Sequence, residues 1–309
     1  MLLRILGLAI AVTAVAVCVR TLVLEWPRIS GSLASADLRW IAGGFACAVV
    51  GMWFLAVLWH RCLAVFGSPT ALSSTTAWFF AGELGKYLPG GIWPVVGRGE
   101  LAHRGGVSRS VAYTTTLLSA GLMCVGGAIA CVLFTPFLFG DGLHLGPELL
   151  ILLILPIGLV LVHPAVFGPI LRAVDRASKG RVSLAAPPWG RMVGLILVAV
   201  PTWVLIGASS ALVTQGLGFD QQPGRVAFAA VAAWIVGFLC IPVPAGAGVR
   251  ELVFVLVSGL AAGPAVAVAA LSRVMFVAID AVAGTASLLW LRTGRQTASA
   301  DRSVVVADQ

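Results

Sequence analysis

The chain has 309 residues, 60% hydrophobic and 10% charged, with a mean hydropathy of +1.03. A water-soluble domain carries about a quarter of its residues charged, so a soluble particle is excluded and a polytopic membrane protein is indicated. Net charge is +8, from 20 Lys and Arg against 12 Asp and Glu. In so apolar a chain that excess marks cytoplasmic loops rather than nucleic-acid binding.

Six apolar stretches reach the length needed to cross a bilayer. In chain order they are Ile5–Val23, Trp40–Trp59, Val111–Phe137, Leu149–Phe167, Val193–Val213 and Ala265–Leu291. Arg4 before the first stretch imitates a signal peptide, but the segment ends in "AVAVC" without small residues suited to cleavage, so it reads as a retained helix. Two further regions are apolar but interrupted. One is Ala77–Leu88 with the loop after it, and the other is Ala227–Leu260 with a break at Pro242–Gly248.

Charge sets the orientation. The segment between Phe167 and Val193 carries Arg172, Arg176, Lys179, Arg181 and Arg191 and belongs in the cytoplasm; Leu138–Glu148 has no Lys or Arg and belongs outside. The region from Arg61 to Arg109 and the tail with Arg292, Arg295 and Arg302 are then cytoplasmic, as are both termini. If each interrupted region is a re-entrant hairpin, each half holds three spans plus one hairpin, and the halves run in opposite senses. The expected fold is therefore an all-α polytopic membrane protein of two inverted repeats, 1–140 and 146–292, followed by a disordered cytoplasmic tail, 293–309. Broken helices meeting near the midplane of inverted repeats are a recurring transporter plan. A rival count makes both interrupted regions full spans and puts the N-terminus outside.

Both interrupted regions carry one phrase. "LPGGIWPVVGRGEL" (Leu88–Leu101) and "IPVPAGAGVREL" (Ile241–Leu252) each follow an "AW" pair, break on proline and glycine, and close on Arg, Glu and Leu. In the second, Gly246 and Gly248 permit close backbone approach, and a helix is expected to start near Val249. Its first amides lack intrahelical partners and favour an anion, to which Arg250 adds a bidentate donor fork. In the first, Gly90, Gly91 and Pro94 precede Arg98 and Glu100, and the next helix is expected at the N-cap Ser108. Ionisable residues at membrane depth are costly and point to function. Arg98, Arg250 and Glu251, with Gly90, Gly91, Gly246 and Gly248, are thus the candidate substrate-binding residues.

Glu100, Asp280, Arg273, Glu83 and Lys86 are candidates for charge coupling. Glu83 and Lys86 stand at i, i+3 and can pair with each other. Arg273 and Asp280 share a helical face seven residues apart, and Asp280 is placed to neutralise Arg250 or Arg273 or to carry a proton. Trp93, inside the first break, is a candidate gate. The six cysteines have no paired spacing and the four histidines no metal-ligand spacing, so neither metal nor cofactor is expected. Two lysines among twenty basic residues, with abundant Ala, Val and Gly, point to a high-GC bacterial genome.

On "GKYLPGGIWPVVGR" (Gly85–Arg98) and "PAGAGVRE" (Pro244–Glu251), with an apolar framework over residues 1–292, the chain resembles the transmembrane region of lysyl-phosphatidylglycerol synthases of the multiple-peptide-resistance-factor type. The resemblance implies a membrane flippase unit for a lipid head group, with Arg98, Arg250 and Glu251 at the matching positions. Seventeen residues follow Arg292, too few for a soluble synthase domain, so aminoacyl transfer is not expected of this chain. Related stand-alone members imply a polyprenyl-phosphate-linked sugar beside phospholipid as substrate and an envelope-biosynthesis enzyme as candidate partner. A homo-oligomer is a candidate assembly. The expected function is a non-enzymatic flippase for an anionic lipid in the bacterial cytoplasmic membrane. Two alternatives stand beside it. One is a membrane transferase using a polyprenyl-phosphate donor, against which the isolated acids count. The other is an assembly subunit.

Overall fold

The structure is a computed structural model that describes residues 30–31, 34–87, 92–138, 147–178, 184–240, 246 and 248–307. The expected first span Ile5–Val23 lies outside the described residues, as do most of the Leu138–Glu148 loop and the chain termini.

Among the described residues the fold is all-helical. Ten α-helices follow in order: α1 Leu38–Val65, α2 Leu72–Glu83, α3 Trp93–Arg104, α4 Arg109–Phe134, α5 Ile154–Val162, α6 Pro164–Ala177, α7 Trp189–Gly216, α8 Pro223–Leu239, α9 Val249–Val257 and α10 Ala262–Ala307. Short 3-10 turns occupy Leu84–Tyr87, Thr135–Leu138 and Pro147–Leu153. Four segments are long and apolar enough to cross a membrane: Leu38–Val65, Arg109–Leu138, Trp189–Gly216 and Ala262–Thr293. They coincide with four of the stretches expected from hydropathy.

Local chemistry sets the boundaries. The carboxylate of Asp37 accepts from the amide of Arg39 at 2.9 Å and caps α1, and Ser108 accepts from Val111 at 3.4 Å to cap α4, as expected. The Leu149–Phe167 stretch differs from expectation. It is two helices bent by 63°. Pro164 disfavours helical geometry at the residue before it, and His163 is extended, with its ring capping α6 through Ala165 at 3.2 Å. The backbone of 293–307, expected as a disordered tail, continues α10. No proline follows Pro264 to stop it.

Short helices fill the interrupted regions. At 1.5 Å per residue α2 and α3 are each about 18 Å long, α9 about 14 Å and the 17-residue α8 about 26 Å, all short of the ~30 Å hydrocarbon layer. α2 packs on α3, and α8 on α9. Arg98 and Glu100 therefore stand within a helix rather than in a loop, because Pro94 fits the first turn of α3, where a missing amide hydrogen costs nothing.

The element pairings occur in duplicate. α1 meets α2 as α7 meets α8, α3 meets α4 as α9 meets α10, α1 meets α4 as α7 meets α10, and α2 meets α10 as α4 meets α8. The central and most extensive pairing joins α1 to α7. Its contact is backbone on backbone. A Cβ on Gly44 would lie 2.9 Å from the Ser209 carbonyl oxygen, and one on Gly51 would lie 3.2 Å from that of Thr202. Small residues at this spacing, with Ala48 between them, let two apolar helices gain dispersion contact where lipid supplies no hydrophobic drive. Outward, Leu117, Leu197, Leu256, Val274 and Val282 are each at least 60% exposed, an apolar skin that suits hydrocarbon and not water.

Candidate functional site

α1, α2, α3, α4, α8, α9 and α10, with Ser210 of α7, surround two adjoining cavities. The larger, about 430 Å³, is lined by Arg98, Arg250, Gly237, Gly246, Phe238 and apolar residues such as Leu58 and Val96. The smaller, about 60 Å³, is lined by Tyr87, Glu251, Ser272, Arg273 and Asp280. Lys86, Trp234 and Arg250 line both and form the partition between them.

Each arginine rests in a seat built the same way. The Arg98 guanidinium lies 3.9 Å from the ring centre of Phe79, and its stem packs on Gly82, where a Cβ would come within 2.6 Å of Cγ. The Arg250 guanidinium lies 3.4 Å from the ring centre of Trp234, and its stem packs on Gly237, where a Cβ would come within 2.4 Å of Cγ. Aromatic and glycine are three residues apart in both helices, hence on one face. The cation meets a negative π-face, and glycine is required because any side chain would occupy the stem's place. Trp234 is fixed in turn by edge contacts with Trp203 at 6.0 Å and Phe276 at 5.0 Å. Gly246, at φ +63°, brings the entry to α9 onto the Gly237 carbonyl, where a Cβ would lie 2.9 Å from the oxygen.

The seats differ in charge. Arg98 is paired with Glu83, whose other oxygen takes Lys86 at 3.2 Å. Lys86 reaches on to Asp280 at 2.6 Å, and the Tyr87 hydroxyl donates to the same oxygen at 2.7 Å. Leu84, in the same turn, packs on Gly284, one helical turn beyond Asp280. Glu251 accepts from the Gly248 amide at 2.6 Å, capping α9, and from Arg273 at 2.5 Å. Arg250 has no carboxylate within 4 Å among the described residues; its buried Nε, like that of Arg98, has no hydrogen-bond partner.

With the seven charged groups around the cavities ionised, Lys86, Arg98, Arg250 and Arg273 outnumber Glu83, Glu251 and Asp280 by one. Every carboxylate is engaged, and a single oxygen, Asp280 Oδ1, is left without a partner. The excess charge is therefore localised on Arg250. A cation held away from water without a counter-ion is costly, and an anion entering the larger cavity would remove that cost.

The structure thus brings Arg98, Arg250, Gly246, Glu83 and Lys86 to the larger cavity, and Glu251, Arg273 and Asp280 to the smaller. Three of the candidates have definite partners. Asp280 neutralises Lys86 rather than Arg250 or Arg273, because the turn after α2 packs on α10. Glu251 is consumed by its helix cap and Arg273. Glu100 faces away, paired with Arg104 and Arg109, both at 3.5 Å. Trp93 lines neither cavity. Gly90 and Gly91 lie outside the described residues, as do Pro242 and Pro244. Gly248 caps α9 at φ +80°. Phe79, Gly82, Trp234, Gly237 and Tyr87 were not singled out. The readable signal was an aromatic three residues before glycine, ahead of each break.

Among the described residues no group of three or more His, Cys, Asp or Glu side chains is placed to hold a metal ion. Compared with protein-family models and with curated proteins, the sequence matches none.

Proposed function

We propose that the chain is a multi-pass protein of the bacterial cytoplasmic membrane that moves an anionic lipid, or a lipid-linked head group such as a polyprenyl-phosphate sugar, between leaflets. One observation carries the reading: a cavity of about 430 Å³, a volume usual for small-molecule sites, holds an arginine with no carboxylate partner among the described residues. The phosphate pairs with Arg250 over Trp234, and the apolar wall accommodates the glycerol or prenyl portion.

The duplicated pairings of α1–α4 with α7–α10 support two repeats, and the short helix pairs α2–α3 and α8–α9 support re-entrant hairpins. Inverted orientation of the halves follows from the Lys and Arg distribution, with the 167–193 segment in the cytoplasm. Movement is then a rocking of one half against the other around the arginine. The same function is what the resemblance of Gly85–Arg98 and Pro244–Glu251 to the lysyl-phosphatidylglycerol synthase membrane region implies. A carrier is favoured over a transferase because the carboxylates that would act as bases are already tied into ion pairs.

The test is reconstitution into vesicles with a fluorescent anionic lipid. Arg250→Ala abolishes its movement between leaflets while the protein stays folded; undiminished movement rejects the reading.

A further inference from the structure

The two arginine seats are alike in aromatic, glycine and stem, and they differ in the residue after the glycine. Glu83 follows Gly82 and neutralises Arg98. Phe238 follows Gly237, and Phe238 and Arg250 both line the larger cavity. Where the first seat carries its own carboxylate, the second presents an aromatic ring, 41% exposed.

We infer that Phe238 is the specificity-determining residue of the larger cavity: by standing where a counter-ion would stand, it reserves Arg250 for a guest with a single negative charge, a phosphodiester rather than a phosphomonoester. The inference rests on the proposed function and names the substrate class of that site. The reasoning is charge balance. The residues around both cavities sum to one positive charge, and that charge sits on Arg250. A phosphodiester carries one negative charge and closes the balance. A phosphomonoester carries about −1.5 to −2 at pH 7 and would bring a second charge into a low-dielectric pocket, where Arg98 is already committed to Glu83. Like-charge approach to Glu83 then opposes it. Phe238 and its neighbours meanwhile offer an apolar wall to the ester's carbon portion.

Glu83 gives the converse. Removing its charge frees Arg98 as Arg250 is free, raises the local sum to two, and shifts the preference toward the phosphomonoester.

The experiment uses the full chain in detergent mixed with phosphatidylcholine, titrated with phosphatidylglycerol (a diester) or phosphatidic acid (a monoester), with thermal stabilisation as readout. The wild-type protein is stabilised by phosphatidylglycerol at least tenfold lower concentration than by phosphatidic acid. Phe238→Glu weakens the phosphatidylglycerol response at least tenfold, and its unliganded melting temperature rises, because the new carboxylate pairs with Arg250. Phe238→Gln weakens it less than threefold, which separates charge from polarity. Glu83→Gln reverses the order of the two lipids. Equal responses of the wild type to both lipids, or an undiminished response of Phe238→Glu, overturns the inference. Should Phe238→Glu fail to fold, the lipid order in Glu83→Gln decides. Movement measured on the same preparations separates the two readings. Selective binding without movement rejects transport and keeps the inference. Movement that Phe238→Glu leaves intact rejects the inference and keeps transport.

Discussion

Lys86 and Asp280 belong to opposite halves of the chain and meet at 2.6 Å, Asp280 being fully buried. The pair ties the turn after α2 to the middle of α10, and Lys86 also holds Glu83. Removing one partner of a buried ion pair costs about 3–5 kcal/mol, because the other charge is left without compensation. Lys86→Met should therefore lower the melting temperature sharply in detergent. Asp280→Asn should cost less, since the Tyr87 hydroxyl keeps an oxygen to bond. The double variant should recover part of the loss, and strict additivity would show that the two side chains do not interact.

Trp234 is the platform for Arg250. A desolvated cation–π contact is worth about 2 kcal/mol, roughly thirtyfold in an equilibrium. Trp234→Leu should reduce anionic-lipid binding by about that factor, and Trp234→Phe, which keeps a smaller π-face, should lie between. Equal binding by Leu and Phe variants would show that the ring supplies only volume.

The two seat glycines should separate function from stability. A Cβ on Gly237 would meet Arg250 stem atoms, Cγ at 2.4 Å and Cδ at 3.3 Å, whereas one on Gly82 would also meet the Arg98 backbone nitrogen at 3.0 Å. A side chain can swing away and a helix backbone cannot. Gly237→Ala should displace Arg250 from Trp234 and stop lipid movement with a small change in melting temperature. Gly82→Ala should force α2 from α3 at a cost of about 1–3 kcal/mol, the usual range for overpacking, seen as a clear drop in melting temperature.

Glu100 provides the contrast. Its pairs with Arg104 and Arg109 are long and their side chains are 32% exposed or more, and exposed ion pairs are worth about 0–1 kcal/mol. Glu100→Gln should leave both melting temperature and lipid movement within error. A large loss of movement would place Glu100 in the transport path after all.

The long helices were legible because an apolar run of twenty residues has few alternatives. The starts of α4 and α9 were legible because serine caps and glycine breaks act locally. Partner choice was not, since Arg98 to Glu83 and Lys86 to Asp280 depend on which helices stack, and every acid in reach looks equivalent along the chain. The shared "AW" pairs do not mark equivalent places: Phe79, not Trp78, stacks on its arginine as Trp234 does, and one residue on a helix is a turn of about 100°. Trp78 instead faces Gly105, where a Cβ would lie 2.1 Å from its ring.

The glycine contact of α1 with α7 limits how such a molecule can change shape. With the main chains this close at Gly44 and Gly51, the seam has little side-chain bulk to re-pack at those two points, which suits it to serve as the axle of the proposed rocking. In a cysteine-free background, a cross-link over the axle should leave lipid traffic running, whereas one fastening α2 to α10 should jam it.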